Sequence, residues 1–178
     1  GRMKEVVATA VNRADIVILT GGLGPTEDDL TKEVCAEVMG MELVEDPHTR
    51  QHIEEFFHNN IYREIPANNW KMTTVPRGAR VLDNHNGMAP GLILEKDGKT
   101  AILLPGPPGE LYPMFEQQVF PYLETRENAS LVSKTLKICG HGESQVEDQL
   151  IDLIDGQTNP TLATYAKVGE VHLRITAR

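Results

Sequence analysis

"TGGLGPTEDDLTKE", residues 20–33, sets three glycines, a proline and three consecutive acids between an apolar run and a helix-like pattern. Upstream, Ala14 to Thr20 ("ADIVILT") is almost continuously apolar and β-branched, the composition of a strand buried on both faces. Downstream, Leu30, Val34 and Val38 share one helical stripe, which Gly40 ends as the C′ residue. Strand, glycine loop and helix follow one another as they do in a parallel α/β sheet. Such loops point bare amides at anions, so Glu27, Asp28 and Asp29 are out of place beside a phosphate. A divalent cation between the two resolves the conflict. Gly21, Gly22 and Gly24 then approach the phosphate and the carboxylates bind its metal. The structural alternative is that Asp28 and Asp29 favour the helix dipole while Thr26 and Asp29 cap the helix start.

Working outward, Met3, Val6, Val7, Ala10 and Val11 mark a helix before the strand, and residues 47–60 a third helix with Pro47 near its start. Residues 65–91 are irregular and rich in proline and glycine. "LILEKDGKTAILLPG" reads as a hairpin turning at Asp97-Gly98 with its second strand ending at Leu104. A helix is expected from Gly109 to Glu124, with Pro113 confined to its first turn or to a restart. Between hairpin and helix, "LLPGPPGEL" (103–111) is a second candidate anion loop. Two such loops at the carboxyl ends of neighbouring parallel strands face one crevice.

A polar stretch at 124–130 ("ETRENAS") separates an α/β domain, residues 1–126, from a second unit, 131–178. That unit reads as a small α+β fold, β-α-β-β: strand 131–138, helix 144–154, strands 162–166 and 171–176. Ser144 and Glu147 form a capping-box pattern, and Leu150, Ile151 and Ile154 are expected to pack on the sheet.

The net charge of −9 argues against broad binding to nucleic acid or anionic membrane. No apolar run reaches the roughly 20 residues of a membrane span, and no secretory apolar segment is present. Cys35 and Cys139 show no metal-ligand spacing, which favours reduced thiols and a cytoplasmic location. The uncapped opening helix and the strand-like end suggest an interior piece of a longer protein.

"TGGLGPTEDDLTKE", "PANNWKM", "NHNGMAPG" and "LLPGPPGELYPMFE", in this order, resemble the competence/damage-inducible (CinA) family, whose first domain is of the molybdopterin-binding type. "GHGESQVEDQL" and "NPTLATYAKVGEVHLRITAR" resemble that family's KH-like middle domain. The resemblance implies a three-layer α/β domain with a mostly parallel sheet, incomplete because the family's first strand and helix are missing. It also implies metal-dependent hydrolysis of ADP-ribose to AMP and ribose 5-phosphate, a homodimer, and no deamidase activity, since the family's carboxyl-terminal domain is absent. Carried over by position, Asp29 matches the family's loop acid; Asp28, beside it in the acidic loop, is a further candidate metal ligand. Gly21, Gly22 and Gly24 match the phosphate loop and Thr31 the Thr that follows the acid, while Gly106 and Glu110 match the second loop and the acid after it. Glu110 is a candidate to bind a ribose hydroxyl or orient the water, and Thr26 is a further candidate ligand contact. Two readings compete: a nucleotide- or molybdopterin-binding module without turnover, and adenylyl transfer to molybdopterin.

Lys71, in "NNWKM", is a candidate phosphate contact. His48 and His52 stand four apart on a helix but lack a third metal ligand nearby, so they are set aside. His141 lies in a glycine loop of the KH-like unit. That unit carries five Lys/Arg against six Asp/Glu, and Lys134 and Lys137 fall on opposite sides of one strand, so no RNA binding is expected.

Overall fold

A computed structural model describes residues 1–59, 64–126 and 131–178. They form two units, 1–124 and 125–178, each with its own sheet. The expected end of the third helix at Asn60, and residues 127–130 of the polar stretch, lie outside the described residues.

In the first unit, α1 (Arg2–Arg13) leads into β1 (Ile16–Thr20), and the glycine loop follows, then α2 (Thr31–Val38). Next come β2 (Leu43–Glu45), α3 (Pro47–Asn59) and a 3₁₀ helix (Ala67–Thr73). β3 (Thr74–Pro76) pairs antiparallel with β2. β4 (Arg80–Leu82), β5 (Gly91–Lys96) and β6 (Lys99–Leu104) complete the main sheet in the order β1-β6-β5-β4.

That sheet is mixed rather than mostly parallel. β1 runs parallel to β6, while β6–β5 and β5–β4 are antiparallel. The reason is local: Asp97 (φ 50°) and Gly98 (φ 76°) both take the left-handed conformation of a two-residue hairpin turn, which can only return antiparallel. Alternation along β5 and β6 feeds two cores. Leu92, Leu94, Ala101 and Leu103 pack with Val7, Cys35 and Met39 from α1 and α2. Ile93, Ile102 and Leu104 meet Met114 and Val119 on the other face. Each such fully buried aliphatic side chain contributes about 1.5–3 kcal/mol. A third cluster of Ile53, Phe57 and Met72 ties α3 to the 3₁₀ helix.

Two expectations about packing are corrected. β1 is not buried on both faces: it pairs with β6 alone among the described strands, and Ile18 is 46% exposed. The apolar stripe of α2 is also rotated, because the helix begins at Thr31 and leaves Leu30 exposed. Thr31, Lys32, Cys35 and Ala36 turn inward, with Met39 one turn on; Val34 and Val38 pack at the margin.

The expected helix to Glu124 is three segments: α4 (Pro108–Met114), a π-helical turn (Phe115–Val119) and α5 (Phe120–Glu124). Pro113 sits inside α4. It supplies no N–H for the carbonyl four residues back, that of Gly109. Asn86 Nδ2 donates to that oxygen instead, at 2.8 Å.

The second unit holds β7 (Val132–Cys139), α6 (Glu143–Gln149), α7 (Ile151–Asp155), β8 (Thr161–Lys167) and β9 (Glu170–Ala177). Its antiparallel sheet has the order β7-β9-β8. The expected single helix breaks at Leu150, and its cap lies earlier than Ser144: Gln145 Oε1 accepts from the Gly142 N–H. Val146, Val171 and Leu173 are the buried residues, and Ile151 is exposed.

Candidate functional site

β1 and β6 end side by side, and the two glycine loops leave from their carboxyl ends. The Gly21 N–H donates to the Leu104 carbonyl at 2.9 Å, carrying the parallel ladder one residue into the loops. Gly21 (φ 82°) and Gly22 (φ 70°) are left-handed. A Cβ on Gly106 would stand 3.5 Å from the Gly21 Cα, so the two loops approach to within about one methyl group of each other. A Cβ on Gly22 would strike the Thr31 hydroxyl, and one on Gly24 would lie 2.7 Å from Asp29 Oδ2.

Between the loops lies a cleft of about 300 Å³. Gly21 to Pro25, Asp29, Pro105 to Pro107 and Glu110 line it, with Met72, Met88 and Ala89 as an apolar wall. This brings together most of the residues singled out from the sequence: Gly21, Gly22, Gly24, Asp29, Gly106 and Glu110. Thr31, buried at the start of α2, supports the loop from beneath by donating its N–H to the Gly22 carbonyl at 3.1 Å.

The acidic triplet divides. Glu27 and Asp28 are exposed and stand outside the cleft lining; Asp29 is half-buried within it. Asp29 Oδ2 accepts from the Thr26 N–H (2.9 Å) and the Thr26 hydroxyl (2.7 Å). This closes a turn before the helix rather than capping it, since Leu30 is the N-cap residue of α2. The Thr26 hydroxyl bond is the main reason the Asp29 carboxyl is held below its usual range; partial burial opposes it. At neutral pH the group is therefore anionic.

Lys71 is not a solvated lysine. From the 3₁₀ helix its ammonium donates to the carbonyls of Thr26 (2.8 Å) and Asp29, strapping the loop from outside the cleft lining. Beneath it sits Lys32, only 5% exposed, which donates to the Lys71 carbonyl (2.7 Å) and the Thr74 hydroxyl (3.3 Å), with Glu33 3.9 Å away. Burial pushes the Lys32 ammonium down to about 8. The sequence does carry a signal for it: Lys32, Cys35, Ala36 and Met39 have the spacing of a buried helix face.

Asn84 is a further residue that sequence reasoning missed. It is 2% exposed, and its Nδ2 donates to Glu110 Oε2 (2.7 Å) and to the Ala89 carbonyl (2.8 Å). The loop it belongs to is tied to α3 by His48 Nε2 with Asp83 (2.6 Å) and His52 Nε2 with the Gly87 carbonyl (3.1 Å). The two histidines set aside above thus hold a wall of the cleft. Cys35 is chemically quiet, its thiol pushed up to about 12 by burial.

Among the described residues no group of three or more His, Cys, Asp or Glu is placed to hold a metal. Two carboxylates, Asp29 and Glu110, do line the cleft. The Asp29 carboxylate is a hard oxygen donor, of the kind that suits an ion arriving with phosphate oxygens and water to complete its shell.

Comparison with known proteins agrees with this architecture. Residues 1–125 match the family described as "probable molybdopterin binding domain", and residues 133–178 match "damage-inducible protein CinA KH domain". A putative competence-damage inducible protein of Caldicellulosiruptor bescii is 52% identical across 99% of this chain. One from Clostridium acetobutylicum is 50% identical over the same share. In each case the chain spans 43% of the relative's length. Among solved structures, the CinA protein of unknown function from Thermoplasma acidophilum superposes with a TM-score of 0.60 at 31% identity. That match covers 67% of this chain and 70% of the other. The chain is a member of the CinA family, a molybdopterin-binding-type domain followed by a CinA-type KH domain.

Proposed function

We propose that the cleft binds the diphosphate of a nucleotide and that the whole protein uses it to hydrolyse an ADP-ribose-like pyrophosphate. The observation that carries this reading is the close approach of the Gly21 and Gly106 loops, contact there being between glycines, at the ends of two parallel strands. That contact leaves amides, rather than side chains, to face an anion. The neighbouring Met72, Met88 and Ala89 suit a flat base or pterin.

Asp29 would hold a divalent ion, with phosphate oxygens and water filling its other positions; Asp28 stands exposed beside it, outside the lining. Once bound, such an ion lowers the pKa of a coordinated water and neutralises phosphate charge. The chain's own residues do the rest. The bonds from Thr26 and from the Gly24 backbone keep Asp29 ionised and fix its carboxylate in the loop. Lys71 prevents the loop from opening. The glycine amides orient the phosphates.

Binding without turnover is the second reading. It is favoured by the prior engagement of Asp29 with Thr26 and by the lack, among the described residues, of a three-residue metal cluster. Calorimetry of ADP-ribose with the full-length protein tests the cleft, and chromatographic detection of AMP with and without a divalent metal tests the reaction. Binding without AMP favours the second reading; absence of binding rejects both.

A further inference from the structure

Glu110 is, with Asp29, one of two acids that line the cleft, and its own surroundings suggest what it is for. Asn84 is nearly fully buried, and every one of its side-chain bonds fixes its orientation. Oδ1 accepts from the Asn86 N–H (3.1 Å), and Nδ2 donates to the Ala89 carbonyl (2.8 Å) and to Glu110 Oε2 (2.7 Å). The amide cannot turn over without setting its oxygen against a carbonyl and a carboxylate. Gly87 closes the remaining space, since a Cβ there would collide with Glu110 Oε2 and approach Asn84 Nδ2 to 2.9 Å. One carboxylate oxygen of Glu110 is therefore occupied by a donor that cannot rotate away. Among the described residues no donor is recorded for the other, Oε1, on a side chain that lines the cleft.

We propose that Asn84 is a positioning residue that presents Glu110 Oε1 to the cleft as the acceptor for a ribose hydroxyl. A free carboxylate beside phosphates is repelled, whereas a hydroxyl supplies the donor that a fixed acceptor needs, as acidic residues do for ribose in other nucleotide sites. This deepens the nucleotide reading above and rests on it. The consequence is selectivity for a ribonucleotide: a ligand without that hydroxyl leaves a partly buried acceptor unmatched.

The test reverses the polarity of the pair in the full-length protein, with ADP, 2′-deoxy-ADP and 3′-deoxy-ADP as probes. The wild type should bind ADP about tenfold more tightly than one of the deoxy analogues, the scale of one hydrogen bond to a charged group. In Glu110→Gln the introduced amide turns its oxygen to the Asn84 N–H and its NH₂ to the ligand, so the preference disappears. In Asn84→Asp/Glu110→Gln that NH₂ points instead to the new carboxylate. The amide oxygen again faces the cleft, and the preference returns. A merely structural Asn84 predicts no such return. The double variant costs the Ala89 carbonyl its donor, so its melting temperature is measured alongside; should it fail to fold, Glu110→Gln alone decides. A preference kept in Glu110→Gln, or not regained in a folded double variant, overturns the inference. Wild type that binds ADP without discrimination does so too, while leaving the cleft reading intact. Wild type that does not bind ADP overturns both.

Discussion

Replacing Lys32 by methionine gives a measurable consequence of burying an ammonium. The unfolded chain holds this proton with a pKa near 10.5, the folded chain with one of about 8. A gap of that size corresponds to about 3 kcal/mol of burial cost in the charged form, at about 1.4 kcal/mol per unit. Between pH 8 and 10.5 the unfolded state binds more protons, so the wild type gains stability as pH rises through that window. Lys32→Met carries no such group. It also loses the bonds to the Lys71 carbonyl and Thr74 hydroxyl, at about 1–3 kcal/mol each, so the two proteins should be close at pH 7. From pH 7 to pH 10 the difference between them should then move by about 2 to 3 kcal/mol in favour of the wild type. Titrations common to both cancel. Urea unfolding followed by fluorescence suits the purpose, because Trp70 is the only tryptophan and lies next to Lys71 on the 3₁₀ helix. A difference that stays constant within about 0.5 kcal/mol would refute the reasoning and place the ammonium in water.

Asp29→Asn should abolish metal-dependent release of AMP from ADP-ribose by the full-length protein with a small change in melting temperature, because an amide oxygen still accepts from Thr26; near-normal turnover would leave Asp29 only its role in the turn. Gly87→Ala should destabilise the first unit by about 1–3 kcal/mol, since the new methyl meets Glu110 and Asn84, and denaturant midpoints read this directly. The His48–Asp83 pair raises the His48 pKa, so its stabilising effect is present at low pH and fades as pH rises through the folded value. The melting temperatures of wild type and Asp83→Asn should accordingly differ at pH 6 and converge at pH 9. The KH-type unit should not bind single-stranded RNA at physiological salt: Glu170 pairs with Lys137 and bonds the His172 ring, and Arg174 lies over the Tyr165 ring. Salt-sensitive micromolar binding in fluorescence anisotropy would contradict this.

The glycine loops, the hairpin turn and the two-unit division can be read along the chain because each depends on neighbours a few residues apart. Asp97-Gly98 needs no distant partner to form its turn. What could not be read is what long-range contact decides. β1 is apolar enough for a central strand, yet its exposure depends on which strands flank it. α2 offers two apolar stripes, and the one containing Lys32 is buried because Lys71 and Thr74, some 40 residues on, supply acceptors. Asn84 and Glu110 are likewise joined across 26 residues. Lys71 stands out in the sequence as a lone cation, but only the fold gives it the carbonyls of the loop as partners.

The contact between Gly21 and Gly106 makes the base of the cleft stiff. The two backbones come close enough that only a methyl would fit between them, and the Gly21–Leu104 hydrogen bond ties one loop to the strand from which the other leaves, so the base resists widening. The opposite wall consists of Met72, Met88 and Ala89, unbranched or small side chains that change shape at little cost. A ligand therefore meets a ruler at one end and a cushion at the other. On the nucleotide reading proposed above, variation in the aromatic group should be tolerated while the spacing of the two phosphates should not.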